Sequence, residues 1–589
     1  MTGKPFCSTA VEILCVFAVI ALFGAWAVPD LNEAHYICKA VHFWNPDWIP
    51  NDAFLESKDS QRTFYFLFGW LPLLTGLTAA AWIGRITAWL LLAWSWQRLS
   101  FALIPVRWAA VPTVLAFAYY IENFHMAGEW MIGGIEGKSL AYPFVLFALE
   151  SMVRRRWNRA GVFLGIASAL HILVGGWASI IAGFIFLTHF IHDKRKRHKS
   201  SVKQRLRFPF IGVFIGGGLA LFGLLPGLQL DAGVPAELVR QAHQIYVFER
   251  LPHHLVPYLF QDSLLLRFIF LTVIWIMLCR FRNNRYSTFN AFVFGTVMLS
   301  ATGLTAAGLF SGNRELSAEI LRFYWFRLSD VFVPIGVAAG AMRAVLTLRK
   351  NKMSALPKLS TVLFLVAVPL AAYAAADYFC FNYWNYAPNT DVPFAAAMIF
   401  CYVLLYCVRQ PAAVCRFALG AAVFFLPLCS LPMLADLRTY SGHCRSEPAA
   451  VNGRRATEEW REMCGWVKEH TPKDAKFWVP RDGGTFKWHA RRSDVCTWKN
   501  VPQDAASIAA WYSALRELYT YKAPDDTEMV DRLLTTLIVS KPDETIEEWQ
   551  QRYGFDYVIC AVTWVMPQPP RFQLIYANKA YCVYKIKRL

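Results

Sequence analysis

Carboxylates and aromatic residues gather in the first loop of this 589-residue chain, directly after its first apolar segment. The group consists of Asp30, Glu33, His35 and Tyr36. A carboxylate at the exit of an apolar helix can take a proton from an acceptor hydroxyl, or it can help to hold a divalent cation such as Mg²⁺ or Mn²⁺. We therefore expect Glu33 or Asp30 to act as a general base, with His35 and Tyr36 contacting the substrate.

A second acidic group lies between glycines, where Glu136 stands two positions before Lys138. The pair comes at the entrance to an apolar segment, and ionisable residues at such places predict function. We expect Glu136 to orient the acceptor or to bind a cation, and Lys138 to contact the substrate. The sequence does not identify metal ligands.

Basic residues of two later loops suit a phosphate group. Guanidinium groups bind phosphate oxygens in a bidentate manner, so Arg322 or Arg327 is expected to hold the phosphate of a lipid-linked donor. His253 and His254 are adjacent and cannot both face one site on a helix, so at most one of them contributes.

Structural interpretations of the same residues remain open. Acidic residues in loops are often only solvated, which applies to Asp47, Asp52 and Asp59. Arg327 and Asp330 are three positions apart and can form an ion pair within one helix.

The elements that position these residues follow from composition. The chain is 56% hydrophobic and 17% charged, with a mean hydropathy of +0.33, whereas a soluble domain has about 25% charged residues. Its formal charge of +18 comes mostly from short loops between apolar segments, as in the positive-inside pattern of membrane proteins. This distribution argues against nucleic-acid binding, which needs a basic face.

The predicted fold is an α-helical polytopic membrane protein with about thirteen transmembrane helices and a carboxyl-terminal soluble α/β domain. The expected spans are residues 9–28, 81–98, 108–121, 139–153, 160–173, 176–191, 208–224, 264–280, 288–310, 328–346, 359–378, 393–409 and 415–434. Residues 64–80 are also apolar, but counting them as a span would turn the basic loop at 154–159 outward. They are therefore expected to form a helix on the outer surface.

This topology places the amino terminus in the cytoplasm and defines two domains. Residues 1–435 form the membrane domain, and residues 436–589 form a soluble extracytoplasmic domain. Four outer loops belong to the membrane domain: loop 1 (29–80), loop 2 (122–138), loop 3 (225–263) and loop 4 (311–327).

Within the soluble domain, the pattern predicts a helix at 457–469 and strands at 477–479, 557–562, 572–576 and 581–586. Its cysteines, Cys464, Cys496, Cys560 and Cys582, could form disulfides on an oxidising side of the membrane.

Loop 1 resembles a known family. Its run Pro29-Asp30-Leu31-Asn32-Glu33-Ala34-His35-Tyr36, followed by Asp47-Trp48-Ile49-Pro50, is similar to the acidic loop of the aminoarabinose and protein-mannosyl transferases of the C-type glycosyltransferase (GT-C) superfamily. The loop around Glu136 is placed like the second acidic motif of oligosaccharyltransferase catalytic subunits, and Gly175-Gly176-Trp177 resembles their helix break.

The resemblance implies a GT-C-like membrane fold, a polyprenyl-phosphate sugar donor, contact with membrane lipid, and a place in the bacterial inner membrane. Two departures from the family pattern matter. Asn32-Glu33 stands where the family has an Asp-Glu pair, so the family's Asp is either replaced in this chain or supplied by Asp30. The tail lacks the Trp-Trp-Asp motif that reads glycosylation sequons. Its segments 498–502 and 576–581 instead look like a bacterial membrane-protein family of unknown function.

The leading functional expectation is an inverting glycosyltransferase acting on the extracytoplasmic face, transferring a hexosyl or pentosyl group. One alternative is a transporter or flippase of lipid-linked sugars, which would carry charged residues near the middle of several spans. A membrane-anchored binding protein is the third possibility.

Overall fold

The computed structural model describes residues 5–30, 32–196, 208–281, 284–350, 456–523, 526–562 and 571–587. Helices dominate these residues. Up to residue 350 they are α1 (Pro5–Gly24), α2 (Glu33–Trp44), α3 (Ala53–Glu56), α4 (Arg62–Phe68), α5 (Leu71–Thr75), α6 (Leu77–Leu103), α7 (Ala110–Asn123), α8 (Gly137–Val153), α9 (Trp157–Leu170), α10 (Ile172–Lys196), α11 (Phe210–Leu228), α12 (Ala236–Gln244), α13 (Pro252–Leu255), α14 (Asp262–Leu278), α15 (Asn284–Leu309), α16 (Arg314–Leu321) and α17 (Arg327–Lys350). A π-helical turn, Ile245–Arg250, joins α12 to α13.

The chain is a multi-pass membrane protein. Five helices of the described part are long and apolar enough to cross a bilayer, and they lie within α6, α10, α11, α15 and α17. Each predicted span before residue 351 overlaps one of the helices given above. The last three, at 359–378, 393–409 and 415–434, fall outside the described residues, so the count of thirteen stays a prediction.

Residues 64–80 form no single surface helix. They contain most of α4, all of α5 and the start of α6, with breaks at Gly69 and Gly76. A side chain at Gly69 would meet the backbone oxygen of Ala40 on α2, and Gly76 has a φ of +81°. Because α4 and α5 are only seven and five residues long, neither can cross a membrane.

Glycines hold α9 against α11. A Cβ atom at Gly165 would lie 2.2 Å from the backbone oxygen of Gly216, and one at Gly161 would lie 2.7 Å from that of Gly212. Small residues at four-residue spacing let membrane helices approach at backbone contact. The helix break expected at Gly175 and Gly176 lies instead at His171, between α9 and α10.

The carboxyl-terminal region contains a five-stranded mixed sheet. Its described elements are α18 (Ala456–His470), β1 (Lys476–Trp478), α19 (Phe486–Ala490), β2 (Ser493–Asp494), α20 (Ala505–Tyr519), β3 (Thr520–Lys522), β4 (Glu528–Val530), α21 (Thr535–Ser540), α22 (Asp543–Tyr553), β5 (Tyr557–Ala561), β6 (Phe572–Ala577) and β7 (Tyr581–Ile586). The strand order is β2-β1-β5-β7-β6, with β1 parallel to both of its neighbours.

The predicted helix and four strands of this region agree with α18, β1, β5, β6 and β7 to within one residue at each end. The predicted domain boundary at residue 436 lies outside the described residues. Cys560 and Cys582 stand opposite each other on β5 and β7. Neither they nor the other two tail cysteines, Cys464 and Cys496, form a disulfide in the structure.

Candidate functional site

The four loops converge at one end of the helix bundle. Loop 1 contacts loop 2 where the amide of Gly134 donates to Asp30 Oδ2 at 2.8 Å. Loop 2 contacts loop 3 where His254 Nδ1 meets the backbone oxygen of Ala127. Loops 3 and 4 meet through the hydroxyls of Tyr246 and Tyr324, 3.0 Å apart. Residues that the sequence separates widely therefore share one site.

The carboxylate of Glu33 is fully engaged. Arg85 of α6 binds it in a bidentate manner, with Nε–Oε1 at 2.7 Å and Nη2–Oε2 at 2.6 Å. The amides of Ile135 and Asp30 donate to the same two oxygens at 3.0 and 2.8 Å. A carboxylate with four such bonds positions loop 2 against α2 and has little capacity to accept a proton. Arg85 was not foreseen from the sequence.

Glycine is required where loop 2 passes these acids. A Cβ atom at Gly134 would lie 2.8 Å from Glu33 Cγ, and one at Gly133 would lie 3.3 Å from Asp30 Oδ2. The glycines flanking Glu136 in the sequence thus reflect the close approach of the two acidic loops. Asp30 itself is half-buried, in contrast to the buried Glu33.

Glu136 and Lys138 lie together at the start of α8. Lys138 Nζ is 3.3 Å from Glu136 Oε1 and 3.3 Å from Glu129 Oε1, and it sits over the ring of Trp130 at 4.2 Å. Asn32 of loop 1 donates to Glu136 Oε2 at 3.3 Å. Burial raises the pKa of Glu136, and the charge of Lys138 opposes this rise.

Glu129 joins Arg327, a predicted phosphate ligand, to Lys138, a predicted substrate contact. Its Oε2 pairs with Arg327 Nε at 2.8 Å, while its Oε1 faces Lys138 and accepts from the hydroxyl of Tyr142 at 3.1 Å. The guanidinium of Arg327 also reaches His171 Nε2 at 3.1 Å. One buried carboxylate therefore holds two cations side by side.

Asp330 stabilises the backbone of loop 2, which corrects the ion-pair interpretation. Its oxygens accept from the amides of Met126 and Ala127, both at 2.9 Å, and Arg327 pairs with Glu129 instead.

His35 and Tyr36 face the same assembly from α2. Burial lowers the pKa of His35 well below its ordinary value, which keeps the imidazole neutral. Tyr36 is half-buried, and burial together with the charges of Glu136 and Asp59 raises its pKa well above the usual value. Its hydroxyl therefore remains a hydrogen-bond donor at physiological pH.

The remaining predicted ligands lie further out. His254 is held against loop 2 through Ala127, whereas His253 is exposed. Arg322 belongs to a separate cluster. Its Nη1 lies 2.7 Å from His243 Nε2, and its guanidinium group stacks on the ring of Phe323. The structure thus brings Arg327, but not Arg322, to Glu129 and Lys138.

A buried ion cluster joins loop 1 to the carboxyl-terminal region. Lys487 of α19 pairs with Asp52 at 3.1 Å and also with Asp494 of β2. Asp59 pairs with Lys39 at 3.2 Å and accepts from the hydroxyl of Tyr65 at 2.7 Å. Interpreting Asp52 and Asp59 as solvated acids is therefore wrong, because both are buried, while Asp47 is exposed as expected.

The described residues contain no assembled set of metal ligands. Among them, no three His, Cys, Asp or Glu side chains are placed to share an ion. Glu33, Glu129 and Glu136 each face an Arg or Lys instead. The expected divalent cation, Mg²⁺ or Mn²⁺, stays a prediction.

A family model described as a domain of unknown function (DUF6798) matches residues 458–518. This stretch covers α18 to most of α20 and includes the segment 498–502, which the sequence linked to a family of unknown function. The other segment, 576–581, lies outside the match. A comparison with curated proteins gives no match.

Two solved structures are similar to the chain. The crystal structure of ArnT from Cupriavidus metallidurans in the apo state aligns over 98% of this chain and 97% of its own, with 12% identity and a TM-score of 0.48. The cryo-EM structure of the arabinosyltransferase EmbB from Mycobacterium smegmatis aligns over 78% of this chain and 43% of its own, with 13% identity and a TM-score of 0.38. Both proteins are GT-C glycosyltransferases, the superfamily that loop 1 resembles.

Proposed function

We propose that the chain is an integral membrane glycosyltransferase that moves a sugar from a polyprenyl-phosphate donor to an acceptor on the extracytoplasmic face. One observation carries the proposal. Glu129 holds Lys138 and Arg327 side by side at the point where loop 1 brings Asp30 and Asn32 against loop 2. Paired cations next to a half-buried carboxylate suit a reaction in which a phosphate leaves as a hydroxyl is deprotonated.

Asp30 is the proposed general base. The acceptor hydroxyl attacks the anomeric carbon, its proton passes to Asp30, and the bond from the anomeric carbon to the phosphate oxygen breaks with its electron pair on the phosphate. Glu33 is less suited to this role because Arg85 and two amides occupy both of its oxygens. Glu33 instead fixes the loop that carries Glu136.

Lys138 and Arg327 are proposed to bind the donor phosphate. Their charges offset the negative charge that grows on the leaving phosphate, which is the usual way in which fixed cations lower such a barrier. Tyr36 donates a hydrogen bond to the same group. Glu136, whose pKa is raised by burial, orients the acceptor hydroxyl.

The test is sugar transfer by the purified full-length protein in detergent, with a panel of radiolabelled polyprenyl-phosphate sugars and a lipid extract as the acceptor source. We expect transfer from one donor class. Lys138→Met is expected to weaken donor binding at least tenfold, because it removes a charge-assisted contact. Lys473→Met changes an exposed lysine of the carboxyl-terminal region and serves as the matched control.

Donor binding that survives without any sugar transfer, in a folded protein, would contradict the proposal. It would support a transporter of lipid-linked sugars, because a transporter must bind the donor without cleaving it.

A further inference from the structure

A pair of cations lies at the seam between loop 3 and the carboxyl-terminal region. Arg250 ends the π-helical turn and is only 8% exposed. Its Nε donates to the backbone oxygen of Trp498 at 3.0 Å, and its guanidinium lies over the Trp498 ring at 5.2 Å. Arg481 stacks on the same ring at 4.1 Å. Two guanidinium groups therefore contact Trp498, the residue that precedes Lys499.

Lys499 lies near charged groups of loops 1, 2 and 3. The charged groups that act on its ammonium are Arg250, Glu136, Lys138 and Asp30, and its backbone contacts His35. Burial, reinforced by Arg250 and Lys138, lowers the pKa of Lys499 to about 7. Lys499 nevertheless keeps some accessible surface.

Neither cation has a carboxylate partner among the described residues. The groups acting on Arg250 are the phenols of Tyr324, Tyr246 and Tyr36 and the guanidinium of Arg481, and none of these neutralises it. The other buried lysines all have partners: Lys39 has Asp59, Lys138 has Glu129 and Glu136, and Lys487 has Asp52 and Asp494.

An unpaired buried charge is costly, and two adjacent like charges are more so. An anion between them would relieve both costs. Guanidinium and ammonium groups together with phenol hydroxyls are the donors that phosphate oxygens take. The set formed by Arg250, Lys499, Tyr246 and Tyr324 therefore has the composition of an oxyanion-binding site.

We propose that Arg250 and Lys499 form an anion-binding subsite that takes a phosphate group of a substrate and that is incomplete without the carboxyl-terminal region. The subsite deepens the proposed function, since the phosphate is taken to belong to a substrate of that reaction. When phosphate binds, Lys499 takes up a proton and becomes a full ammonium.

The first test is trace acetylation of lysines in the full-length protein with acetic anhydride, read by mass spectrometry between about pH 6 and 10. Only the neutral amine reacts, and an ordinary lysine has a pKa near 10.4. We expect Lys499 to react at least tenfold faster than the exposed Lys473 at pH 7, and the buried, paired Lys487 to react more slowly than both.

Arg250 supplies a matched pair of variants. Arg250→Gln removes the cation that helps to lower the pKa of Lys499, so the midpoint of Lys499 acetylation should move to higher pH. Arg250→Lys keeps the charge and should leave that midpoint near 7. If Arg250 had only a structural role, the two variants would show the same midpoint of Lys499 acetylation.

Two phosphate probes test binding and identify its source. Inorganic phosphate at pH 7 should slow acetylation of Lys499 at least threefold without affecting Lys473. Protection by a short-chain prenyl phosphate as well would mean that Lys499 contacts the same donor phosphate as Lys138 and Arg327. Protection by inorganic phosphate alone would assign the subsite to a phosphorylated acceptor.

The proposal is overturned if Lys499 titrates like Lys473, or if neither phosphate protects it. The measurement needs no sugar transfer, so its failure and the failure of the proposed glycosyltransferase activity are distinguishable.

Discussion

Two buried ionic clusters lie on either side of loop 1. In the first, which we call the anchor, Lys487 pairs with both Asp52 and Asp494 and so joins loop 1 to the carboxyl-terminal region. In the second, which we call the chamber, Lys138 and Arg327 share Glu129, while Arg250 and Lys499 have no carboxylate partner among the described residues. Both clusters are shielded from solvent, and both link segments that are far apart in the sequence.

The difference lies in charge pairing. The anchor has a carboxylate on each side of its lysine, so its contacts serve to hold two regions together. The chamber has four cations, Lys138, Arg327, Arg250 and Lys499, facing three carboxylates, Asp30, Glu129 and Glu136. A protein keeps such an imbalance at a cost, and binding of a substrate phosphate would remove it. We infer that the anchor is structural and that the chamber is functional.

The largest expected effect separates chemistry from stability in the chamber. Asp30→Asn should lower the rate of sugar transfer by about 10²–10⁴-fold, the range for loss of a general base, with a melting temperature close to that of the parent protein. Asp47→Asn changes an exposed acid of the same loop and should keep full activity. Equal rates for the two variants would exclude Asp30 as the base.

A substitution in the anchor should lower the stability of the protein, in contrast to Asp30→Asn. Lys487→Met leaves Asp52 and Asp494 buried without a cation, so we expect a loss of about 3–5 kcal/mol of stability, as for a broken buried ion pair. Thermal unfolding in detergent measures this change. Adding Asp52→Asn and Asp494→Asn to the same protein should recover much of the loss, and a failure to recover it would point to packing rather than charge.

Glu33 combines features of both clusters, because it lies beside the chamber but is paired with a cation, Arg85, as the acids of the anchor are. Glu33→Gln keeps the shape of the side chain but removes the charge that faces Arg85, so we expect a loss of about 1–3 kcal/mol. Transfer activity should fall less than in Asp30→Asn and should recover partly at lower temperature. Loss of activity with no loss of stability would restore Glu33 as the candidate base.

The smallest expected effect is a gain in stability, in the variant Lys499→Met. The pKa of Lys499 is lowered to about 7 in the folded protein, so between about pH 7 and 10.4 the unfolded chain binds more protons and stability rises with pH. Lys499→Met removes this dependence. Its melting temperature should exceed that of the parent near pH 7, and the difference should shrink by pH 10. A lower melting temperature at pH 7 would mean that Lys499 has a partner like that of Lys487.

Sequence reasoning located most of the elements and part of the chamber. Apolar segments mark the helices because burial in lipid needs long runs of such residues, and Glu136 and Lys138, which were singled out as functional candidates, lie together in the structure. Arg85 was missed because its partner, Glu33, is 52 positions away and nothing local signals the pair. Asp52 was treated as a surface acid for the same reason, since Lys487 lies in the other part of the chain.

Lys499 illustrates the remaining limit of sequence reasoning. A lysine in a polar segment is ordinarily solvated, whereas Lys499 lies near Arg250 and Lys138, which belong to distant parts of the chain. Local patterns of residue types therefore do not predict contacts between side chains that are far apart in the sequence.

The central claim is that the chamber cleaves a sugar from a lipid phosphate. Its most direct test is to incubate the full-length protein with a radiolabelled polyprenyl-phosphate sugar and acceptor extract, and to quantify the free polyprenyl phosphate together with the glycosylated product. The account predicts that the two products appear in equal amounts with the parent protein and nearly vanish with Asp30→Asn. Donor that is bound, or moved across vesicles, while its sugar–phosphate bond stays intact would contradict the account.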